Sequence, residues 1–103
     1  MKRTLSACVA AIALTLTGAA HANEKLAQAS GCMTCHAIDK KVIGPSYKDV
    51  AAKYRNTQGA DADLFKKVKG GSKGVWGPIP MPPTAHVKDE NVKAIVQWIL
   101  SLK

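Results

Sequence analysis

Cys32-Met33-Thr34-Cys35-His36 is the stretch on which the reading of this chain turns. Two cysteines three positions apart fall on the same side of a single helical turn. Both thiols can then add across the two vinyl groups of one porphyrin. The adjoining histidine lies over the ring with an imidazole nitrogen free to bind iron. Many metal and redox motifs contain Cys-x-x-Cys; the histidine directly after it and an export signal upstream make the combination specific for covalent haem attachment. A thioredoxin-like dithiol needs a βαβ setting, and the chain shows almost no period-2 alternation. Zinc needs four ligands. Cys32, Cys35, His36 and the distant His86 could be recruited, yet neighbouring Cys35 and His36 chelate one small ion awkwardly.

Upstream of the pentapeptide the chain begins with a charged segment, Lys2 and Arg3, and an apolar run from Leu5 to Leu16 interrupted only by Ser6 and Thr15. Ala20-His21-Ala22 supplies small residues at the −3 and −1 positions of a signal peptidase site. The run is too short for a spanning helix, so no stable membrane insertion is expected. Leu5-Ser6-Ala7-Cys8 resembles a lipoprotein cleavage box, but it precedes the apolar region instead of following it, which argues against lipidation. The expectation is a cleaved leader over 1–22 and a single soluble domain over 23–103, exported to the periplasm. That compartment oxidises free thiols, and haem thioethers would use both remaining cysteines.

A domain of this size has a marginal apolar core, and the chain has two tryptophans, two tyrosines and one phenylalanine. A covalently held porphyrin would supply the missing apolar centre. The formal net charge is +8 with neutral histidines, and losing Lys2 and Arg3 leaves it clearly basic. Acidic partners follow from that balance. Nucleic acid is not expected, because no recognition motif is present and the lysines are spread along the chain.

The remaining pattern predicts helices. Asn23 is placed to cap a first helix, Glu24 to about Ser30, with Leu26 and Ala29 inward and Gly31 ending it. Residues 37–45 read as a loop. Ser46 with Asp49 three positions on marks a helix start, and Tyr47, Val50, Ala51 and Tyr54 follow helical spacing to about Arg55. Asp61 is expected to cap a third helix with Leu64, Phe65 and Val68 inward, stopped by Gly70-Gly71. From Gly70 to Pro83 glycine and proline are too dense for a regular element, and so long a loop in a small domain is usually functional or disordered. Trp76, Ile79 and Met81 argue against disorder. Asp89 and Glu90 suit the first turn of a last helix to about Leu102, with a stripe of Val92, Ile95, Val96 and Ile99. Trp98 and Leu102 stand beside that stripe. The fold class expected is all-α, four helices with one long ligand-bearing loop.

A low-spin haem iron needs a sixth ligand. Met33 lies between the attaching cysteines and stays at the ring edge. Met81 stands between Pro80 and Pro82-Pro83, whose stiffness lowers the entropy cost of holding a weak thioether on iron. Met81 is the expected ligand opposite His36, with His86 a distant second.

These residues carry a resemblance. The pentapeptide, Gly44-Pro45-Ser46-Tyr47, Val75-Trp76-Gly77-Pro78-Ile79-Pro80-Met81-Pro82-Pro83 and the closing Trp98-Ile99-Leu100-Ser101-Leu102-Lys103 resemble bacterial class I cytochromes c of the c-551/c-552 type. By that resemblance the fold is the small class I cytochrome c fold around one haem c. Pro45 would offer its carbonyl to the other ring nitrogen of His36. Trp76 would donate its indole N–H to a haem propionate. Lys67 stands where relatives can carry arginine for the same contact; lysine keeps the charge and loses the fork. The plainer alternatives are that Trp76 is mostly core and Lys67 a solvated charge. Relatives often carry asparagine where Thr84 stands, near the methionine sulfur, so this chain departs from the pattern there.

The function expected is one-electron transfer by a His36/Met81-ligated haem in a respiratory chain. Such ligation raises the potential relative to bis-histidine haem, and six-coordination leaves no open site for a substrate, so a carrier is expected and not an enzyme. The rival is a five-coordinate haem protein in which Met81 does not bind. Partners would be redox proteins acidic at their docking face: a membrane cytochrome complex, a terminal oxidase or a periplasmic reductase, met by a monomer. The resemblance places Val42, Pro78, Ile79, Pro80, Pro82 and Pro83 around the exposed haem edge as an apolar patch, with Lys40, Lys41 and Lys73 as a charged rim.

Overall fold

The computed structural model describes residues 15–103, with side chains from residue 22 onward. The expected charged segment, most of the apolar run and Cys8 lie outside the described residues. Four α-helices follow one another: α1 (Thr15–Ala29), α2 (Tyr47–Tyr54), α3 (Ala60–Gly70) and α4 (Asp89–Ser101), with a 3₁₀ turn at Cys32–Thr34 after α1. No strand occurs among the described residues; Ser72 and Met81 form one isolated antiparallel bridge. None of the described helices is long and apolar enough to cross a membrane.

α4 is the hub, packing against α1, α2 and α3. Its stripe is the expected one: Val92, Ile95, Val96 and Ile99 are buried, as is Trp98. Each such apolar side chain contributes roughly 1.5–3 kcal/mol when removed from water. Asp89 and Glu90 occupy its first turn, where carboxylates oppose the helix dipole favourably. Lys69 of α3 ties that turn down, donating to the Val87 carbonyl at 2.6 Å and pairing with Asp89 at 3.0 Å.

α2 starts as the sequence indicates. The Ser46 hydroxyl accepts from the Asp49 amide at 3.1 Å, and Tyr47, Val50, Ala51 and Tyr54 form its buried face. α3 starts one residue before the expected cap. Gly59, at φ 77, turns the chain into the helix, Ala60 is buried at the first position, and Asp61 lies inside the first turn. Leu64 is buried, with Phe65 and Val68 packed partly beneath it.

α1 departs most from expectation. Asn23 does not cap it, because the helix runs unbroken through residues 15–29. The alanine-rich stretch before Asn23 has high helix propensity and needs no new start there. Ala29 is exposed, and Ala27 is fully buried with Leu26 partly so. A methyl side chain at position 27 lets α1 approach α4 closely. Gly31, at φ 84, then reverses the chain in the left-handed region that glycine tolerates, as expected.

Candidate functional site

The turn after Gly31 builds the attachment point. The 3₁₀ winding, with Cys35 and His36 amides both donating to the Cys32 carbonyl at 3.3 and 3.1 Å, nearly eclipses residues three apart. Cys32 and Cys35 therefore face one way, both as free, half-buried thiols. Burial pushes the Cys32 thiol above its ordinary pKa.

His36 follows and is held from three sides. Its Nδ1 lies 2.7 Å from the Pro45 carbonyl oxygen. With Nδ1–H donating there, the tautomer leaves the Nε2 lone pair free. The Tyr47 ring stacks on the imidazole at 5.1 Å and 23°, and Tyr47 meets Trp98 of α4 edge-on at 5.5 Å. Gly44 supplies the third contact: a Cβ there would lie 2.5 Å from His36 Cε1. Any side chain at position 44 would displace the ring.

Met81 is held by its backbone. Its N–H donates to the Ser72 carbonyl at 2.7 Å, and its carbonyl accepts from the Ser72 amide at 3.0 Å. Beyond it, the Thr84 amide and hydroxyl both donate to the Val68 carbonyl, at 3.1 and 2.7 Å. The Thr84 hydroxyl proton is thereby committed to α3.

These parts converge on one apolar cleft. His36 and Met81 both line it, together with Cys32, Cys35, Pro45, Tyr47, Leu64, Val68, Ile95, Val96 and Ile99. Lys67, Trp76 and the run Pro78, Ile79, Pro80 and Pro82 also line it. Trp76 is 42% exposed, and Lys53 of α2 places its Nζ 5.4 Å from the Trp76 ring centre, a cation–π contact. Lys67 pairs with Asp63 one turn back on α3, both partly exposed, an arrangement worth a few tenths of a kcal/mol, roughly 0.3–0.5.

The donor chemistry fits haem. One imidazole, one thioether and two free thiols on an apolar cleft match an iron porphyrin held by two thioether bonds. They do not match a zinc site: among the described residues no three His, Cys, Asp or Glu side chains gather as a metal-holding group. His86 is exposed and outside the cleft lining. Met33, within the attachment turn, is half-buried and does not line the cleft.

Three groups went unread in the sequence. Ile43, 52% exposed, lines the cleft, as does Ile79, which is 64% exposed; an apolar pair, Val42-Ile43, directly after Lys40-Lys41 was the available signal. The Tyr47 hydroxyl is buried with no hydrogen bond of good geometry among the described residues, the Cys32 thiol being its polar neighbour; burial first and that thiol second push its pKa well above the ordinary tyrosine range. Lys53 gave no signal, because its aromatic partner is far along the chain. Of the expected patch and rim, Lys41 and Lys73 line the cleft, whereas Lys40, Val42 and Pro83 do not; Val42 is 46% exposed nearby in sequence.

The known proteins that this chain resembles are cytochromes c. The family model for cytochrome c matches residues 20–103. Cytochrome c-552 of Nitrosomonas europaea is 48% identical over 103 residues, covering 100% of both chains. Cytochrome c-551 of Pseudomonas aeruginosa is 54% identical over 80 residues, 78% of this chain and 76% of that protein. The crystal structure of wild-type Nitrosomonas europaea cytochrome c552 superposes with a TM-score of 0.76 at 50% identity, covering 78% of this chain and 99% of that one.

Proposed function

This chain belongs to the cytochrome c family, within its small c-551/c-552 type, and on that premise we propose a soluble periplasmic electron carrier of a respiratory chain with iron held between His36 and Met81. One observation carries the ligation: His36, fixed through Nδ1 to Pro45, and Met81, fixed through its backbone to Ser72, line the same apolar cleft. Haem c would supply the redox-active iron, cycling between ferric and ferrous.

The protein's own groups do the rest. Cys32 and Cys35 hold the group covalently. The Pro45 carbonyl fixes the imidazole tautomer and strengthens its donor character. Leu64, Val68, Ile95, Val96 and Ile99 exclude water from the cleft floor, so that little solvent reorganises when charge changes. Trp76 and Lys67, which line the cleft, would meet the propionates. With His36 and Met81 both holding the iron, the chain itself would occupy the places a substrate would need, which supports a carrier and not an enzyme. Ile43, Ile79 and the prolines at the mouth form the apolar docking surface for an acidic redox partner, and Lys41 and Lys73 beside them steer it. The contact needed is small, below about 1,200 Å² for redox encounters.

Export is supported by a difference in coverage. The Nitrosomonas europaea relative aligns over its whole length with this chain, whereas the solved form of that cytochrome is covered by 78% of it. A removed leader over 1–22 would produce such a difference and leave a mono-haem domain over 23–103. In the periplasm, intact mass after extraction with acid and acetone is expected to show a chain from Asn23 carrying one haem. The ferric visible spectrum is expected to show the weak long-wavelength band of sulfur bound to iron. Haem that extracts freely refutes the attachment, and absence of the band refutes Met81 ligation in favour of a five-coordinate centre.

A further inference from the structure

Gly71 closes α3 and opens the loop that carries Met81. Its φ is +80, and a Cβ built on it would lie 2.7 Å from the Met81 carbonyl oxygen and 3.1 Å from both N and Cδ of Pro83. A flexible side chain could yield to such a methyl group; these neighbours cannot. The Met81 carbonyl already accepts from the Ser72 amide, and the Met81 amide donates back to Ser72. Pro83 is a closed ring, and the residue after it is pinned to the Val68 carbonyl by its amide and its hydroxyl. A side chain at position 71 would therefore push the backbone of Met81 outward and carry its thioether with it.

Two neighbouring glycines lack this contact. Gly74 has nearly the same left-handed conformation, φ +79, with nothing within 4 Å of its Cβ position. Gly70 has neither a left-handed φ nor any neighbour within 4 Å. Backbone strain is thus shared by two of the three, and close approach is confined to one.

We infer that Gly71 is a positioning residue for the axial thioether: its bare Cα is the seat on which the Met81–Pro83 backbone rests, and it sets the reach of the Met81 sulfur. The inference rests on the reading of Met81 as the sulfur ligand. A methyl group at position 71 overpacks a site whose partners are all backbone or ring, so the sulfur is displaced while the helices remain.

Holo-protein carrying Gly71→Ala, Gly74→Ala, Gly70→Ala or Met81→Ala tests this. The readouts are the ferric sulfur-to-iron band, the affinity for added imidazole as a competing ligand, and helix content by circular dichroism. Gly71→Ala is expected to weaken or abolish the band and to bind imidazole about ten-fold more tightly than the parent. Gly70→Ala and Gly74→Ala are expected to keep the band and to bind imidazole within about two-fold of the parent. An unchanged band in Gly71→Ala, or an equal effect in Gly74→Ala, overturns the seat. A band that survives in Met81→Ala overturns the ligation reading instead, so the two failures are separate. If Gly71→Ala does not fold, adding Pro83→Ala relieves the contact with Cδ and leaves the 2.7 Å contact with the Met81 carbonyl, so the double variant is expected to fold with a weakened band and to bind imidazole more tightly than the parent. A double variant with the parent's band and imidazole affinity overturns the inference.

Discussion

The Pro45 carbonyl oxygen accepts the Nδ1 proton of His36 at 2.7 Å, across nine positions of sequence. Residues 37–45 form an irregular loop, yet its two ends are fastened: the Gly44 amide donates to the Cys35 carbonyl at 2.7 Å and the Tyr47 amide to the Ala37 carbonyl at 2.9 Å. The imidazole is thereby oriented by a closed backbone frame and not by its own rotamer preference alone.

Gly44→Ala is expected to break that frame. Its methyl group would collide with Cε1 and Nδ1 of His36, and relief requires the ring to leave Pro45 or Tyr47. Overpacking of this kind costs about 1–3 kcal/mol. Thermal unfolding of the holo-protein should shift downward accordingly, with a changed visible spectrum; a parent-like melting curve would contradict the contact.

Met81→Ala is expected to abolish the sulfur-to-iron band and to lower the reduction potential, because a thioether ligand favours the ferrous state. His86→Ala should leave both unchanged, since His86 is exposed and away from the cleft. Potentiometry and ferric spectra of the two variants decide between the ligands.

Tyr47→Phe removes a buried hydroxyl without a hydrogen-bond partner. An unsatisfied group of this kind costs about 1–3 kcal/mol, so the variant should match the parent or exceed it by about 1 kcal/mol in urea unfolding at constant slope. Tyr47→Ala, which also loses the contacts with His36 and Trp98, should cost about 3–5 kcal/mol. A clear loss of stability in Tyr47→Phe would show that the hydroxyl is bonded in the holo-protein.

On the proposed docking of an acidic partner beside Lys41 and Lys73, electron transfer to a physiological acceptor should slow as ionic strength rises, because salt screens that attraction. Ile79→Glu puts a charge at the most exposed apolar position of the mouth. It should slow transfer by about ten-fold at fixed salt, the effect of an interface side chain worth about 1.4 kcal/mol, with the visible spectrum unaltered. A rate indifferent to salt removes the steering, and an unaffected rate in the variant removes the docking surface.

Features written in local sequence were readable from it. The pairing of Ser46 with Asp49, the stripe from Val92 to Ile99 and the pentapeptide each depend on residues within one or two helical turns, where spacing alone determines geometry. The misread features depend on contacts between distant segments. Asp61 has the chemistry of a cap, but Gly59 turned the chain first and Ala60 was drawn into the core. Ala29 keeps helical spacing with Leu26, yet packing against α4 selected Ala27. Gly44 and Gly71 look like ordinary loop and helix-stop glycines. Their demand for a missing side chain exists only once His36 and Met81 have been brought against them.

α4 is the last element of the chain and the one on which α1, α2 and α3 all pack. A polypeptide delivered from its N-terminus therefore has no surface on which to close until residues 89–101 have arrived, and the pairing of α1 with α4 spans nearly the whole domain, a slow class of contact to form. During that interval the cleft lacks the wall made by Ile95, Val96 and Ile99, so Cys32 and Cys35 stand open until the C-terminal helix arrives, and the proposed attachment of haem would be least hindered then.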